Sequence, residues 1–140
     1  MTRTAARSLA VFLLTAAPAV AQVQDSRFSD YATYDAFVNE VLEDGRYIDL
    51  VTTLGGRDEY TTEQLQGLES TLKRVFPDGF IGHTVFGRED LGGGVSQEGR
   101  IYWSETSFFY YYALLLERAD DLVVMHFSFD NDPMKIMSKF

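Results

Sequence analysis

The sequence contains no cysteine, and this absence excludes two kinds of protein. A chain without thiols has no disulfide framework of the sort that supports many small secreted domains. It also has no lipid anchor of the lipoprotein type, because that anchor is built on a cysteine side chain. A domain of about 120 residues can fold without such supports if its apolar core is large enough.

Basic residues are in deficit, with 12 Lys and Arg against 21 Asp and Glu and a formal net charge of −9. Nucleic acids and anionic membranes bind positively charged surfaces, so we predict neither as a partner. Long apolar runs are also scarce. The run Ser8–Ala17 is too short to cross a bilayer, which needs about 20 residues, so we predict no membrane insertion.

The apolar run at the amino terminus has the order of a secretory signal peptide. Arg3 and Arg7 form a basic start, Pro18 ends the apolar run, and Ala19 and Ala21 make a small-x-small cleavage site. We therefore predict a signal peptide over residues 1–21 and a periplasmic or secreted protein after cleavage near Ala21. Residues 22–28 are predicted to be a mobile polar leader, and residues 29–140 a single domain.

The first half of this domain predicts three helices, each with its own start and stop signals. Ser29 or Asp30 caps the first helix, and Gly45 ends it. A second helix covers residues 46–54 and stops at two glycines. Thr61 or Thr62 caps the third helix, Thr61 with Gln64 fits a capping box, and the helix ends at residues 77–79.

The second half predicts four strands, over residues 80–88, 95–103, 108–117 and 122–130, with a loop over residues 89–94. Asp132 and Pro133 have the residue types that begin a helix, so a short carboxy-terminal helix should follow. The expected fold class is α+β, with N-terminal helices packed on a four-stranded curved antiparallel sheet.

The last predicted hairpin has two unlike faces. A turn at Ala119-Asp120 pairs Leu116 with Val123 and Tyr112 with Phe127, and the face that carries these residues is wholly apolar or aromatic. We predict that this face, from Phe108 onward, belongs to the core. The other face is mixed but too apolar to be left in water, so we predict that it binds a ligand or partner. Its residues are Phe109, Tyr111, Leu115, Val124, His126, Ser128 and Asp130.

Residues 30–130, with helices followed by a long antiparallel meander, resemble the cystatin-like and NTF2-like α+β folds. The resemblance rests on the order of elements and on the aromatic strand pair. Such folds host enzymes, ligand carriers and dimerisation modules, so the resemblance implies an architecture and leaves the function open.

Three polar residues of the last strand have the side chains of a catalytic triad. His126, Ser128 and Asp130 alternate along one strand, however, which spaces them by roughly 7 Å. A working triad needs contacts of about 3 Å, so we predict no catalytic residue.

Metal, calcium and phosphate sites are also disfavoured. His83 and His126 lack short ligand spacing, even with Asp90 or Glu105 nearby, so no metal site is predicted. Residues 130–132 fit a helix cap better than a calcium loop. The glycines at 92–94 fit a hairpin tip better than a phosphate cradle, and we predict no cofactor.

Two functions remain from these observations. The first is an exported non-catalytic binding or accessory domain that uses the mixed face to form a homodimer or to bind another exported protein. The second is a carrier of, or enzyme for, a small apolar molecule, with a pocket between the sheet and the helices. A filled core with an exposed apolar sheet face would favour the first function, and a deep pocket would favour the second.

Overall fold

The computed structural model describes residues 26–56 and 58–140. The predicted signal peptide and residues 22–25 of the predicted leader lie outside the described residues. The described residues form an α+β fold in which an antiparallel sheet has helices on both of its faces. None of the helices within this part of the chain is long and apolar enough to cross a membrane.

The helices begin where local capping chemistry places them. They are α1 (Tyr31–Glu43), α2 (Tyr47–Val51), α3 (Thr62–Val75) and α4 (Pro133–Met137). Asp30 caps α1 by accepting a hydrogen bond from the Thr33 N–H at 2.7 Å, and Thr61 forms the predicted capping box. Asp132 caps α4, with Pro133 at its first turn. These starts are confirmed because a cap depends only on residues within one helical turn.

The predicted second helix is α-helical only in its first half, α2. A π-helical turn, Thr52–Gly56, continues it, and Gly55 in this turn has a φ of 111°. A left-handed φ of this kind is available to glycine at little cost, and it stops the helix. Gly45, with a φ of 67°, ends α1 in the same way, as the sequence predicts.

Within the described residues the sheet has five strands, although the sequence predicts four. They are β1 (Arg27–Phe28), β2 (Gly82–Gly92), β3 (Val95–Trp103), β4 (Phe108–Glu117) and β5 (Leu122–Asp130), in the spatial order β1-β5-β4-β3-β2. The unpredicted strand β1, assigned from the sequence to the leader, pairs with Val123 and Leu122. Two residues are too few to produce an alternating pattern, and this explains why the strand was missed.

The first hairpin is longer than predicted, because β2 continues through most of the expected loop. Its turn consists of Gly93 and Gly94, with φ values of 64° and 84°. Two successive residues with positive φ make the tight turn that matches the twist of paired strands. The sequence therefore located the hairpin tip correctly but placed the end of the strand too early.

A bulge at Met125 divides the last hairpin into two registers. The predicted pair Leu116–Val123 is confirmed, but beyond the bulge Leu114 pairs with His126 and Tyr112 pairs with Ser128. A shift of one residue moves every later side chain to the opposite face. The predicted pairing of Tyr112 with Phe127 is therefore wrong, and Phe127 lies opposite Ala113.

The core face of the hairpin is the opposite of the predicted one. Phe109, Tyr111 and Leu115 face helices α1–α3 and are at most 1% exposed. The bulge brings Phe127 and Phe129 to the same side as Leu122 and Val124, so apolar residues from both halves of β5 join this core. Unbroken alternation, without a bulge, predicts His126, Ser128 and Asp130 on this face.

The outer face of the sheet, predicted to be the core, is only partly covered. Helix α4 lies across it, where Ile136 is 1% exposed and the Phe140 ring packs edge-on against Tyr112 at 5.6 Å between centroids. Phe108, at one end of the same face, is 51% exposed. The C-terminal helix therefore serves as a lid on this second face.

Candidate functional site

A groove of about 650 Å³ lies between strand β5 and the helical segments α2 and α3. Its floor is made by Val124, Phe127 and Phe129 of β5. Its walls are apolar side chains of the helical segments, namely Val51, Leu54, Leu65 and Leu68. Ligand sites in proteins are typically of about 300–1,000 Å³ and mostly apolar, so this groove has the size and lining of such a site.

The groove exists because α3 does not pack closely on the sheet. This helix is amphipathic, with Leu65, Leu68 and Leu72 spaced to form one apolar stripe. Leu65 is nevertheless the one buried residue of the helix, and Val75 is 38% exposed. An apolar stripe that is only half covered leaves room for another apolar molecule beside it.

Ser26 closes one end of the groove by joining the π-helical turn to β5. Its N–H donates to the Thr53 carbonyl at 2.6 Å, and its own carbonyl accepts from the Val124 N–H at 2.8 Å. Strand β1 pairs with Val123 and Leu122 of β5. Among the described residues, no other strand pairs with β5 on this edge of the sheet. The rest of β5 therefore borders the groove with an open strand edge.

A few polar groups line the apolar groove. Glu59, Tyr60 and Gln64 approach it from the helical side. His126 and Ser128 also border it, but their side chains lie on the outer side of the sheet with Leu114 and Tyr112. The Ser128 hydroxyl oxygen is buried and has no hydrogen-bond partner within the described part of the chain. Buried polar groups are nearly always satisfied, but this hydroxyl lies on the outer side of the sheet with Tyr112 and not in the groove.

The structure divides the predicted partner face into two sets. Phe109, Tyr111 and Leu115 are buried in the core, and Val124 is in the core and the groove floor. His126, Ser128 and Asp130 pair with outward-facing residues of β4, beyond the bulge. The seven residues therefore do not form one surface. Of these residues, Val124, His126 and Ser128 line the groove.

The polar residues of β5 have separate contacts. The Asp130 carboxylate lies 3.4 Å from Lys135 Nζ and accepts a hydrogen bond from the Asp132 N–H. His126 packs near the Tyr112 ring, at 6.3 Å between centroids. Within residues 26–56 and 58–140, no three acidic or histidine side chains are grouped so that they could hold a metal ion.

A second polar cluster, which the sequence did not predict, is buried between α1 and the sheet. Glu98 and Arg100 of β3 are 0% and 1% exposed. The Glu98 carboxylate accepts hydrogen bonds from the Tyr31 and Tyr34 hydroxyls at 2.7 and 2.8 Å. The Tyr34 hydroxyl also lies 2.9 Å from that of Tyr111. We call these five residues the buried network.

Burial and neighbouring groups raise the pKa values of three tyrosines and of Arg100 in this network. Burial raises the pKa of Tyr31 to about 12, and the hydrogen bond to Glu98 adds to the shift. Burial likewise raises the pKa values of Tyr34 and Tyr111. Desolvation opposes the charge of Arg100, but Tyr34, Glu98 and Tyr102 around it stabilise that charge more, so its pKa is raised. These raised pKa values keep the three tyrosines protonated and Arg100 charged at neutral pH.

The buried network is suited to a structural role. The polar atoms of Glu98 and Arg100 already have partners on α1 and the sheet, and neither residue lines the groove. A partnered and enclosed ion pair holds elements together but does not reach a substrate. The groove is therefore the candidate functional site. No family model matches the sequence, and no curated protein or solved structure matches it.

Proposed function

We propose that this protein is a non-catalytic binding protein that takes a mainly apolar ligand in the groove between β5 and α3. The observation that carries the proposal is an open groove of about 650 Å³ whose floor and walls are largely aliphatic and aromatic. Covering such surface contributes about 25 cal/mol per Å² of apolar area removed from water. The position of Phe109, Tyr111 and Leu115 in the core favours this groove over the mixed face as the binding surface.

The polar groups of the groove would orient the ligand. Glu59, Tyr60 and Gln64 offer hydrogen bonds at its helical margin. In ligand sites of this kind, apolar surface supplies most of the affinity and a few polar groups supply the specificity. Glu59 is the acidic residue among the described lining residues, and the whole chain is strongly acidic. A neutral or cationic ligand is therefore favoured over an anionic one.

A fluorescent probe tests this function. N-phenyl-1-naphthylamine is neutral and apolar, and its emission increases when it leaves water. We expect saturable binding to the intact protein and a loss of affinity of about tenfold or more in Leu68→Trp, because the indole would fill the groove. Leu91→Trp is the matched control, since Leu91 is 49% exposed on β2 and does not line the groove.

The probe experiment has a clear contrary result. Equal binding by the intact protein and Leu68→Trp, with unchanged circular dichroism, would place the apolar site elsewhere. Absence of binding by the intact protein would contradict the function itself. The Leu91→Trp control separates groove filling from the general effect of an added tryptophan.

We also propose that the protein acts outside the cytoplasm and that its fold is of the cystatin-like or NTF2-like kind. The basic start, the short apolar run and the Ala19–Ala21 site support export. The order of helices followed by an antiparallel meander supports the fold type. Sequencing of the mature amino terminus should begin at Gln22 or within a few residues. Recovery of the intact chain from the cytosol would contradict export.

A further inference from the structure

We infer that the occupant of the groove is an extended peptide that adds to the edge of β5 as a further strand. This inference rests on the proposed function and narrows its ligand to one chemical class. It depends on which backbone groups of β5 point into the groove, and the hydrogen-bond pattern of the sheet determines their direction.

The backbone of β5 alternates between β4 and the open edge. The Val124 N–H points away from β4, since it donates to Ser26. Val123, the preceding residue, therefore exchanges its backbone bonds with Leu116 of β4. The Glu117 N–H donates to the Gly94 carbonyl, on the side of β4 next to β3. Since successive residues of a strand direct their backbone groups to opposite sides, the N–H and C=O groups of Leu116 point towards β5.

This alternation continues beyond the bulge. The backbone groups of Leu114, Tyr112 and Tyr110 in β4 point towards β5, as those of Leu116 do. These residues pair with His126, Ser128 and Asp130. These three residues of β5 therefore direct their N–H and C=O groups towards β4. The intervening residues, Phe127 and Phe129, direct theirs to the open edge beside the groove.

The open edge offers two N–H donors and two C=O acceptors in the spacing of a strand. A small apolar molecule would cover the groove but would leave these four groups without partners. An extended peptide would bond all four and bury its own side chains, which is how strand addition combines affinity with specificity. The chemistry of the edge therefore favours a peptide.

The helix opposite the edge completes the recognition surface. The side chains of an added strand would alternate between the floor at Phe127 and Phe129 and the outer face of the sheet. Leu65 and Leu68 of α3 would contact the first set. Ser26 limits the site at one end, and the edge from Met125 to Phe129 accommodates about five residues, or about 16 Å. The expected peptide is apolar at alternate positions and neutral or basic, because of Glu59.

The experiment begins with a random heptapeptide library displayed on phage. Peptides that bind the intact protein are kept, and those that also bind Leu68→Trp are removed. One selected peptide is then synthesised to test its backbone hydrogen bonds with β5. Enrichment of sequences with apolar residues at alternate positions is expected. If N-phenyl-1-naphthylamine binds in the groove but no peptide is enriched, the peptide inference fails and the binding function remains. If the probe does not bind, the binding function fails independently.

Amide hydrogen exchange then tests the predicted backbone bonds. The Phe127 and Phe129 amides should exchange rapidly in the free protein and at least about tenfold more slowly with the selected peptide. The His126 and Ser128 amides are the internal control, since their pairing with β4 should protect them in both states. Protection of Phe127 and Phe129 in the free protein, whether by a second copy or by the chain itself, would overturn the proposal.

Methylation of the peptide nitrogens gives a second, independent test. In an added strand only alternate N–H groups point towards β5. Methylation of one alternate set should therefore reduce affinity by about 100-fold, and methylation of the other set should leave it within a few-fold. Equal effects at all positions would mean that the groove holds only side chains, and would overturn strand addition.

Discussion

Glu98 and Arg100 lie two residues apart on one strand and form an ion pair, with the Arg100 Nε 2.8 Å from the Glu98 carboxylate. Both side chains are essentially inaccessible to solvent. The pair is completed from α1, because Arg100 also contacts Asp35 at 2.7 Å and Glu98 accepts from two tyrosines. Charges removed from water in this way are stable only while each keeps its partners. The network therefore fixes the position of α1 on the sheet.

The first prediction concerns the removal of one charge from this pair. Arg100→Met should lower the free energy of unfolding by about 3–5 kcal/mol, because Glu98 would remain buried without its cation. Urea denaturation followed by circular dichroism measures the loss. Arg46→Met is the matched control, since Arg46 contacts three carboxylates, against two for Arg100, but its side chain is 42% exposed. It should lose about 1 kcal/mol or less. Similar losses would contradict a buried network.

The second prediction is a loss of stability in alkali. Tyr31 and Tyr102 have pKa values of about 12 in the folded protein, raised first by burial. Unfolded tyrosine titrates at about 10, so between about pH 10 and pH 12 the unfolded state loses protons that the folded state retains. This contribution to stability is therefore complete below about pH 10 and falls as the pH rises, by up to about 1.4 kcal/mol per pH unit for Tyr102 and by less for Tyr31, because Tyr31 is only partly buried and solvent screens it.

The alkaline transition can be followed by tyrosinate absorbance and circular dichroism in parallel. Release of protons from these tyrosines should coincide with the loss of secondary structure. In Tyr31→Phe, stability should decrease less steeply with pH, because one of the shifted groups is gone. Gradual ionisation of all tyrosines in a fully folded protein would contradict the burial of these hydroxyls.

The third prediction compares neighbouring residues of β5. Phe127→Ala should lose about 3 kcal/mol, at the lower end of the range for aromatic truncation, because Phe127 is only partly buried against the core. Ser128→Ala should be close to neutral, since its hydroxyl has no hydrogen-bond partner among residues 26–56 and 58–140. Thermal or urea denaturation of both variants measures the difference. A larger loss in Ser128→Ala would mean that the bulge at Met125 does not set the faces as described.

The fourth prediction uses two glycines in different surroundings. A Cβ at Gly82 would overlap the Trp103 ring, whereas one at Gly67 has no neighbouring atom within 4 Å. Gly82→Ala should therefore destabilise the protein by about 1–3 kcal/mol and shift the emission of Trp103, the single tryptophan. Gly67→Ala, inside α3, should stabilise it by about 0.5–1 kcal/mol. Unchanged tryptophan emission in Gly82→Ala would contradict this contact.

The sequence by itself determined the helix starts, the hairpin tip and the four longer strands. Asp30, Thr61 and Asp132 cap their helices through residues two to three positions away. Gly93 and Gly94 supply the positive φ values of the turn they occupy. Such signals can be read from a single sequence because both partners of the interaction lie within a few residues of each other.

The candidate site was only partly predictable. Val124, His126 and Ser128 belong to the predicted binding face and do line the groove. The opposite wall is formed by Leu54, Leu65 and neighbouring residues of the helical segments. The spacing of these apolar residues in the sequence does not show how far they lie from β5. The groove depends on how far α3 stands from the sheet, and that distance is a property of the packed molecule.

Only the tertiary structure decided which face of the last hairpin is buried. A single bulge at Met125 brings Phe127 and Phe129 into the core and turns His126 and Ser128 away from it, whereas unbroken alternation predicts the reverse. It also decided that Glu98 could be buried, since its tyrosine partners lie 64 and 67 positions earlier in the chain. Alternation defines two faces of a strand, but the choice of the buried face depends on the side chains that distant elements bring against it.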